Sequence, residues 1–463
     1  MMNKSITTVR YFFLMCSLML TACVSVPDAP KIINESKRED APLEIKVKEK
    51  TVTEEKAEKI IDKIAEASDA DKLLDKHLRV EQSVSDKPLV AGNNVHLLFD
   101  GEQTFNAIFD AINSAQNHIN LEYFIFENIK FKDTDLKTLL MNKAIQGVQV
   151  NIIYDSFGSS GTPKELFEEL KNNGIHVTEF NHLGFENIDE LNQRDHRKIL
   201  VVDGKKAIVG GVNLSATYQS KSNLGMRSKA PKNIVDAHWR DTDMVIEGPA
   251  VAELQRLFMD HWDQTQAIDQ TSFYPNVENK GNELVRVMGS APTKGLPLYY
   301  VTLVSAIENA ENEIILSSAY FVPTPEQKKQ LINAAKRGVQ VNLCLPGISD
   351  SSLAMLVQHS HYEDLLESGI NIFEMDDQVL HAKTVSIDGV WSVIGSSNFD
   401  YRSASTNQEV DVVVLGKETS TELKNKFNQD TVNAKKIELS AFKKRPFIQK
   451  IKEKFYRIFQ SFL

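Results

Sequence analysis

The chain has 463 residues, 42% of them hydrophobic and 25% charged, the balance of an ordinary globular protein with room for two or three domains. A formal net charge of -10 argues against a broad nucleic-acid groove, which needs clustered Lys and Arg to displace counterions. Three cysteines, Cys16, Cys23 and Cys344, cannot build a disulfide framework.

Residues 1–22 carry Lys4 and Arg10 and then the apolar run YFFLMCSLML, too short to span a bilayer comfortably and suited to the core of a secretory signal. The run ends in Leu20-Thr21-Ala22-Cys23, which resembles the lipobox of bacterial lipoproteins, where the cysteine is lipidated and becomes the mature N-terminus. That resemblance implies a lipid anchor on Cys23 in a bacterial cell envelope. Val24, where an Asp would favour the inner membrane, directs the expectation to the outer membrane, facing the periplasm. An uncleaved anchor or a soluble secreted form are the alternatives. Cys344 would then be the last thiol; it follows Val341 and Leu343 and reads as a small buried hydrophobe.

Residues 23–89 are charged and contain Pro27, Pro30 and Pro42, the composition of a tether. One helix is expected within it, because Thr51 and Glu54 can form a capping box and Ala57, Ile60, Ile61 and Ile64 share a face. The segment reads as a solvated or loosely docked spacer.

From Val90 the chain repeats itself. AIFDAINSAQNHINLEYFIF (107–126), NKAIQGVQVNIIYD (142–155) and NNGIHVTEF (172–180) precede a motif at 196–213. LVSAIENAENEIILSSAYFV (303–322), NAAKRGVQVNLCLP (333–346) and ESGINIFEM (367–375) precede its copy at 381–398. Helical patterns alternate with short β-rich runs in each half, so two α/β domains are expected, over 90–270 and 271–432, each a mixed, largely parallel sheet flanked by helices. The tail, 433–463, is basic. Ile448, Ile451, Phe455, Ile458, Phe459 and Phe462 share a helical face, with Lys450, Lys452, Lys454 and Arg457 off it. Such a helix either lies on an anionic membrane surface or packs its apolar face on the body.

Both motif copies read His-x-Lys, four residues, Asp, six residues, Gly-(Gly/Ser)-x-Asn: His196, Lys198, Asp203, Gly210 and Asn213, then His381, Lys383, Asp388, Gly395 and Asn398. Asp203-Gly204 and Asp388-Gly389 lie between apolar runs and signal hairpins, so both aspartates are expected to shape turns rather than react. Each His and Lys, two apart on a strand, project to one face. The glycines would let backbone approach a ligand, and each Asn amide can donate to a phosphoryl oxygen. Two His, two Lys and two Asn together suit a phosphodiester: cations and amides hold the non-bridging oxygens, while imidazoles attack and move protons.

The motif pair resembles the twin HKD motifs of the phospholipase D superfamily, over roughly residues 90–430. That resemblance implies a site at the pseudo-twofold interface of the two domains and a mechanism without metal or cofactor. One histidine forms a phosphohistidine and the other acts as acid and base; His196 is expected to be the nucleophile and His381 the acid/base. In the family an acid after the motif pairs with the histidine. Glu409 follows the second motif, and aligning EVDVVV (409–414) with DTDMVI (241–246) makes Asp241 its counterpart. Glu409 is therefore expected to orient His381, and Asp241 to orient His196; otherwise both are surface acids at strand ends.

Within the superfamily HRKILVVDG with GGVNLSATY, WRDTDMVIEGPAV followed by LFMDHW, SSNFDYRS, Tyr123-Phe124 and Asp155-x-x-Gly158-Ser159 resemble the cardiolipin synthase branch. The 219–238 insertion is a possible substrate-gating loop. The resemblance implies phosphatidyl transfer between phospholipids at a membrane surface, with no nucleic-acid partner. The alternatives are a phospholipase D that gives the phosphohistidine to water, a nucleic-acid phosphodiesterase disfavoured by the acidic body, and a non-enzymatic envelope lipoprotein, whose motifs would be eroded.

Overall fold

The computed structural model describes residues 26–463 except 37–43, 48–49, 67–70, 86, 182–192, 220–236, 263–265 and 291–296. The signal segment, Cys23 and nearly all of the 219–238 insertion lie outside the described residues.

The first half builds seven principal strands, β1 (Leu89–Phe99), β2 (His118–Tyr123), β3 (Gln149–Asp155), β4 (His176–Phe180), β5 (Lys198–Val202), β6 (Lys206–Gly210) and β7 (Thr242–Glu247). Their order across the sheet is β4-β3-β2-β5-β6-β7-β1. The second half repeats this with β8 (Glu283–Ser290), β9 (Glu313–Ser318), β10 (Gln340–Pro346), β11 (Asn371–Met375), β12 (Lys383–Ile387), β13 (Trp391–Gly395) and β14 (Glu409–Leu415), in the order β11-β10-β9-β12-β13-β14-β8. β1 pairs with β7 along Asn94–Phe99 and with β8 at Val90 and Asn93, so one strand joins the two sheets.

The α/β expectation holds, and the sheets are mixed. Parallel ladders link β2, β3 and β4, and again β9, β10 and β11; the remaining principal pairs are antiparallel. The motif itself supplies the antiparallel part. Asp203 and Gly204 have φ of 52 and 61°, Asp388 and Gly389 φ of 54 and 70°. Two successive positive φ values make the turn that matches the right-handed twist of a tight hairpin, so β5 folds back on β6 and β12 on β13.

The tether differs from a loose spacer. Helices α1 (Ala29–Ser36), α2 (Glu54–Glu66) and α3 (Asp71–Val84) are packed parts of the second half. Ile45, Ala57, Ile61, Leu74 and Leu78 are buried in the same core as Leu303, Ile307, Ile314 and Trp391. Most of their charges lie on the opposite face, which is why composition alone made the segment read as solvated, though Glu81 is buried with Arg286. Of the two alternatives for the tail, the apolar face packed on the body is not the arrangement found. The tail helix α4 (Phe447–Tyr456) and the following 3-10 turn Arg457–Phe462 lie on the second half, but Phe447, Ile448, Ile451, Phe455, Ile458 and Phe462 face outward.

Candidate active site

Each motif histidine enters its strand from a segment clamped across the interface between the halves. The His196 N–H donates to the Gln408 carbonyl at 2.9 Å, and the His381 N–H to the Arg240 carbonyl at 2.7 Å. Around these bonds Asp195 bridges Gln408, and Trp239-Arg240 runs parallel to Val379-Leu380. The residue before each acid thus touches the histidine of the other half.

That clamp corrects the expected pairing. His196 Nδ1 lies 2.9 Å from Glu409 Oε2, and His381 Nδ1 lies 2.6 Å from Asp241 Oδ2. Glu409 serves His196 and Asp241 serves His381, each across the interface rather than within its own repeat. The physical reason is the register: Gln408 and Arg240 are fixed beside the opposite motif, so the next side chains point there. Both acids are fully buried and are not surface groups. Burial alone would raise the Glu409 carboxyl, but His196 and Lys198 hold it below the usual range; Lys383 and His381 do the same for Asp241. Burial and Lys383 push the His381 imidazole down to about 4, and burial with Lys198 lowers His196. Nδ1 is engaged in both neutral imidazoles; His196 Nε2 is left for chemistry, and His381 Nε2 lies 3.3 Å from Lys383 Nζ.

Lys198 and Lys383 are buried beside the histidines, and Lys383 Nζ sits 2.8 Å from His381 Nδ1. Burial lowers the Lys198 ammonium to about 7. Asn213 is engaged already, its Oδ1 accepting from the Ile125 N–H at 3.2 Å and its Nδ2 donating to the Tyr218 hydroxyl at 3.3 Å. Asn398 Oδ1 is buried without a donor among the described residues, and its backbone N–H donates to Ser403 Oγ at 3.0 Å.

Asp203 and Asp388 close the hairpins and do more. The Asp203 carboxylate accepts the N–H groups of Gln116, Asn117 and His118, and that of Asp388 those of Glu311, Asn312 and Glu313. Each pins the start of the strand beside its hairpin. Lys198 pairs with Tyr123 at the other end of that ladder, about 17 Å away for five residues of strand. Neither aspartate is near the motif histidines; Asp388 Oδ2 instead lies 3.0 Å from His77 Nε2.

The glycines also have a different role from close approach to a ligand. A Cβ on Gly210 would stand 2.2 Å from Asp243 Oδ1, and one on Gly395 2.2 Å from Asp411 Oδ1. Asp243 and Asp411 follow Asp241 and Glu409 by two residues and fill that space. Asp243 Oδ1 accepts from the Val212 N–H at 3.0 Å; Asp411 Oδ2 accepts from Ser397 Oγ at 2.5 Å. Burial next to Asp241 raises Asp243 to about 8, and burial next to Glu409 raises Asp411 well above its ordinary value, so both environments favour the protonated carboxyl. The second acid of D-x-D and E-x-D was visible in the sequence; its pairing with the motif glycine was the signal that could have exposed it.

Sequence reasoning quoted Phe124, Asp155, Tyr218 and Trp239 within family motifs but gave them no role beside the histidines. The Tyr218 hydroxyl is 3.1 Å from His381 Nδ1, and the Trp239 ring centroid lies 5.2 Å from that imidazole. Phe124 stands edge-on to His196 at 5.1 Å. Asp155 accepts the N–H of Gly158 and of Asp195, fixing the approach to His196. Glu409 is held in turn by Ser396, by Ser403 at 3.0 Å and by Asn407 at 3.1 Å.

This duplicated arrangement agrees with comparison to known proteins. The family model described as "Cardiolipin synthase, PLD-like domain" matches residues 108–235 and 303–431. The chain belongs to the cardiolipin synthase family of phospholipase D-like proteins. A cardiolipin synthase of Geobacillus thermodenitrificans is 31% identical over 391 residues, covering 83% of this chain and 76% of that protein. The major cardiolipin synthase of Bacillus subtilis is 30% identical over 376 residues, covering 80% and 76%. In three dimensions the chain resembles a phosphatidylserine synthase of Haemophilus influenzae, with a TM-score of 0.64 at 12% identity over 84% of this chain and 100% of that one, a likeness of fold. Both family domains contain one complete motif and end beyond, or just short of, the acid that serves the other.

Proposed function

We propose that the protein is a phosphatidyltransferase of the cardiolipin synthase type, moving a phosphatidyl group from one phospholipid to the hydroxyl of another. The observation that carries this reading is the pair of facing His-Lys sets, each imidazole held at Nδ1 by a buried acid. It is joined by cardiolipin synthase relatives matched over four-fifths of the chain. His196 Nε2 attacks phosphorus, the bond from phosphorus to the head-group oxygen breaks, and His381 gives that oxygen a proton. The acceptor hydroxyl then loses its proton to His381 and attacks the phosphohistidine, freeing His196. His196 suits the covalent role because Glu409 is itself fixed by three further side chains. Lys198, Lys383, Asn213 and Asn398 would hold the non-bridging oxygens, which calls for Lys383 to leave the His381 ring when phosphate arrives. The negative phosphodiester raises the His381 pKa in the complex and so supplies the protonated acid.

In the same reading, lipidation at Cys23 places the enzyme in a bacterial envelope, facing the periplasm, beside its substrates. Labelled phosphatidylglycerol, offered with and without phosphatidylethanolamine, tests the transfer. Cardiolipin is the expected main product. Phosphatidic acid alone would make the protein a hydrolase, and no product from any phospholipid would end both lipid readings. An acid-labile phosphoenzyme should form in His381→Ala but not in His196→Ala; the reverse would exchange their roles.

A further inference from the structure

Six of the ten exposed large hydrophobic side chains among the described residues lie in the last seventeen positions: Phe447, Ile448, Ile451, Phe455, Ile458 and Phe462, with Phe447 77% and Ile458 65% exposed. A helix on a water-soluble surface turns such a face inward. Here the polar face is the buried one. Glu453 is fully buried and bonded to Arg445 at 2.9 Å, and Arg445 reaches Glu363 on the helix α5 (Ser352–Glu367) at 3.0 Å. Lys443 bonds Glu367 at 2.6 Å. These ion pairs fix the tail so that its apolar side looks away from the body, with Lys444, Lys452 and Lys454 exposed beside it.

We propose that this face is a membrane-docking surface that seats the active site on an anionic bilayer. The proposal rests on the reading of the substrates as phospholipids. Charge complementarity selects the occupant: a contiguous apolar face beside lysines matches acyl chains below anionic head groups. A twofold-related copy of the chain would bring the same lysines against one another. The location agrees. Tyr456 and Leu463 pack with Tyr401 of the short helix Tyr401–Ser405, whose Ser403 bonds both Asn398 and Glu409. Val26, the first described residue, packs in the same cluster, so a lipid on Cys23 would be tethered to this side of the molecule through two intervening residues of chain.

The test uses the full chain with Phe455→Cys carrying a polarity-sensitive dye, mixed with vesicles of phosphatidylglycerol and phosphatidylethanolamine or of phosphatidylcholine alone. Blue-shifted emission, quenched by brominated acyl chains, is expected with the anionic vesicles. Adding Ile451→Ser and Ile458→Ser should cut the quenched fraction about tenfold or more, and Lys444→Glu, Lys452→Glu and Lys454→Glu should abolish the preference for anionic lipid. All five positions are exposed, so a matching unfolding temperature is expected. A dye that stays in water on anionic vesicles would overturn the proposal, as would one already shielded in a vesicle-free dimer. Because insertion is read without turnover, a failure of phosphatidyl transfer would leave this result standing.

Discussion

Behind His196 the first half places three charged side chains at positions where the second half, behind His381, has uncharged ones. The buried ion pair beside His381 is instead Arg240 with Asp430 at 2.8 Å. Glu122, Asp195 and Arg197 correspond in register to Ser317, Leu380 and Ala382. Around the first set, Arg197 lies 3.5 Å from Glu122 and donates to the Glu409 carbonyl, and His261 bonds Glu122 at 2.7 Å and Gln408 at 3.2 Å. Around the second, Leu380 and Ala382 pack with Ile315, Cys344 and Met375. Glu122, Asp195 and His261 are close enough to hold a metal ion, but the Arg197 guanidinium already supplies positive charge there. The fronts of the two motifs match because one phosphodiester must be gripped from both sides. The backs differ because any well-packed, charge-balanced foundation will hold the strand.

The largest effects should come from the matching fronts. Asp241→Asn and Glu409→Gln should each lower kcat by about 10²–10⁴, the range for a lost orienting or proton-transferring group, with little change in unfolding temperature. A large loss in only one of them would break the symmetry of the fronts. The backs should respond unequally in stability. Arg197→Met leaves the buried Glu122 and Asp195 carboxylates with only His261 as a cationic partner and should cost about 3–5 kcal/mol in denaturant unfolding. Installing the second half's residues together, Glu122→Ser, Asp195→Leu and Arg197→Ala, should cost less than Arg197→Met alone. A triple variant less stable than the single one would mean that the ionic foundation is itself required.

Smaller effects should again be paired. Gly210→Ala and Gly395→Ala each force a methyl onto a buried acid and should destabilise by about 1–3 kcal/mol; normal stability in both would sink the packing role given to Asp243 and Asp411. The Asp243 carboxyl, raised to about 8 by burial and by Asp241, keeps its proton in the folded state after the unfolded chain has lost it. Its contribution is complete below the ordinary carboxylate range and is lost as pH rises to about 8. Asp243→Asn should therefore flatten the fall in unfolding midpoint between pH 5 and 8, and an unchanged slope would refute the assignment. For activity, Lys198 near 7 predicts that kcat/KM, which reports the free enzyme, declines above about pH 7. The kcat limb should lie higher, since a bound phosphate raises the ammonium pKa. Coincident limbs would remove Lys198 from phosphate binding.

Much of this site was legible along the chain. Motif residues lie within eighteen positions of one another, and strand periodicity and Asp-Gly turn chemistry are local, so the hairpins and the His-Lys faces followed from spacing. The acids Asp241 and Glu409 were also legible, from the repeat. Their crossed partnership was not, because it depends on backbone bonds from Gln408 and Arg240 to the opposite motif. Composition misled at residues 23–89: spacing showed the face of Ala57 and Ile61, but the surrounding charges gave no sign that it, with Leu74 and Leu78, is buried in the second half's core.

Sequence by itself determined the duplication, the α/β alternation, the turn role of Asp203 and Asp388 and the set of reacting side chains, since these are set by spacing and by each residue's own chemistry. Tertiary structure alone decided which acid serves which histidine, that Gly210 and Gly395 make room for the buried Asp243 and Asp411, and which face of the tail looks outward. Each of those depends on groups brought together across the fold, where register and burial, rather than distance along the chain, choose the partner.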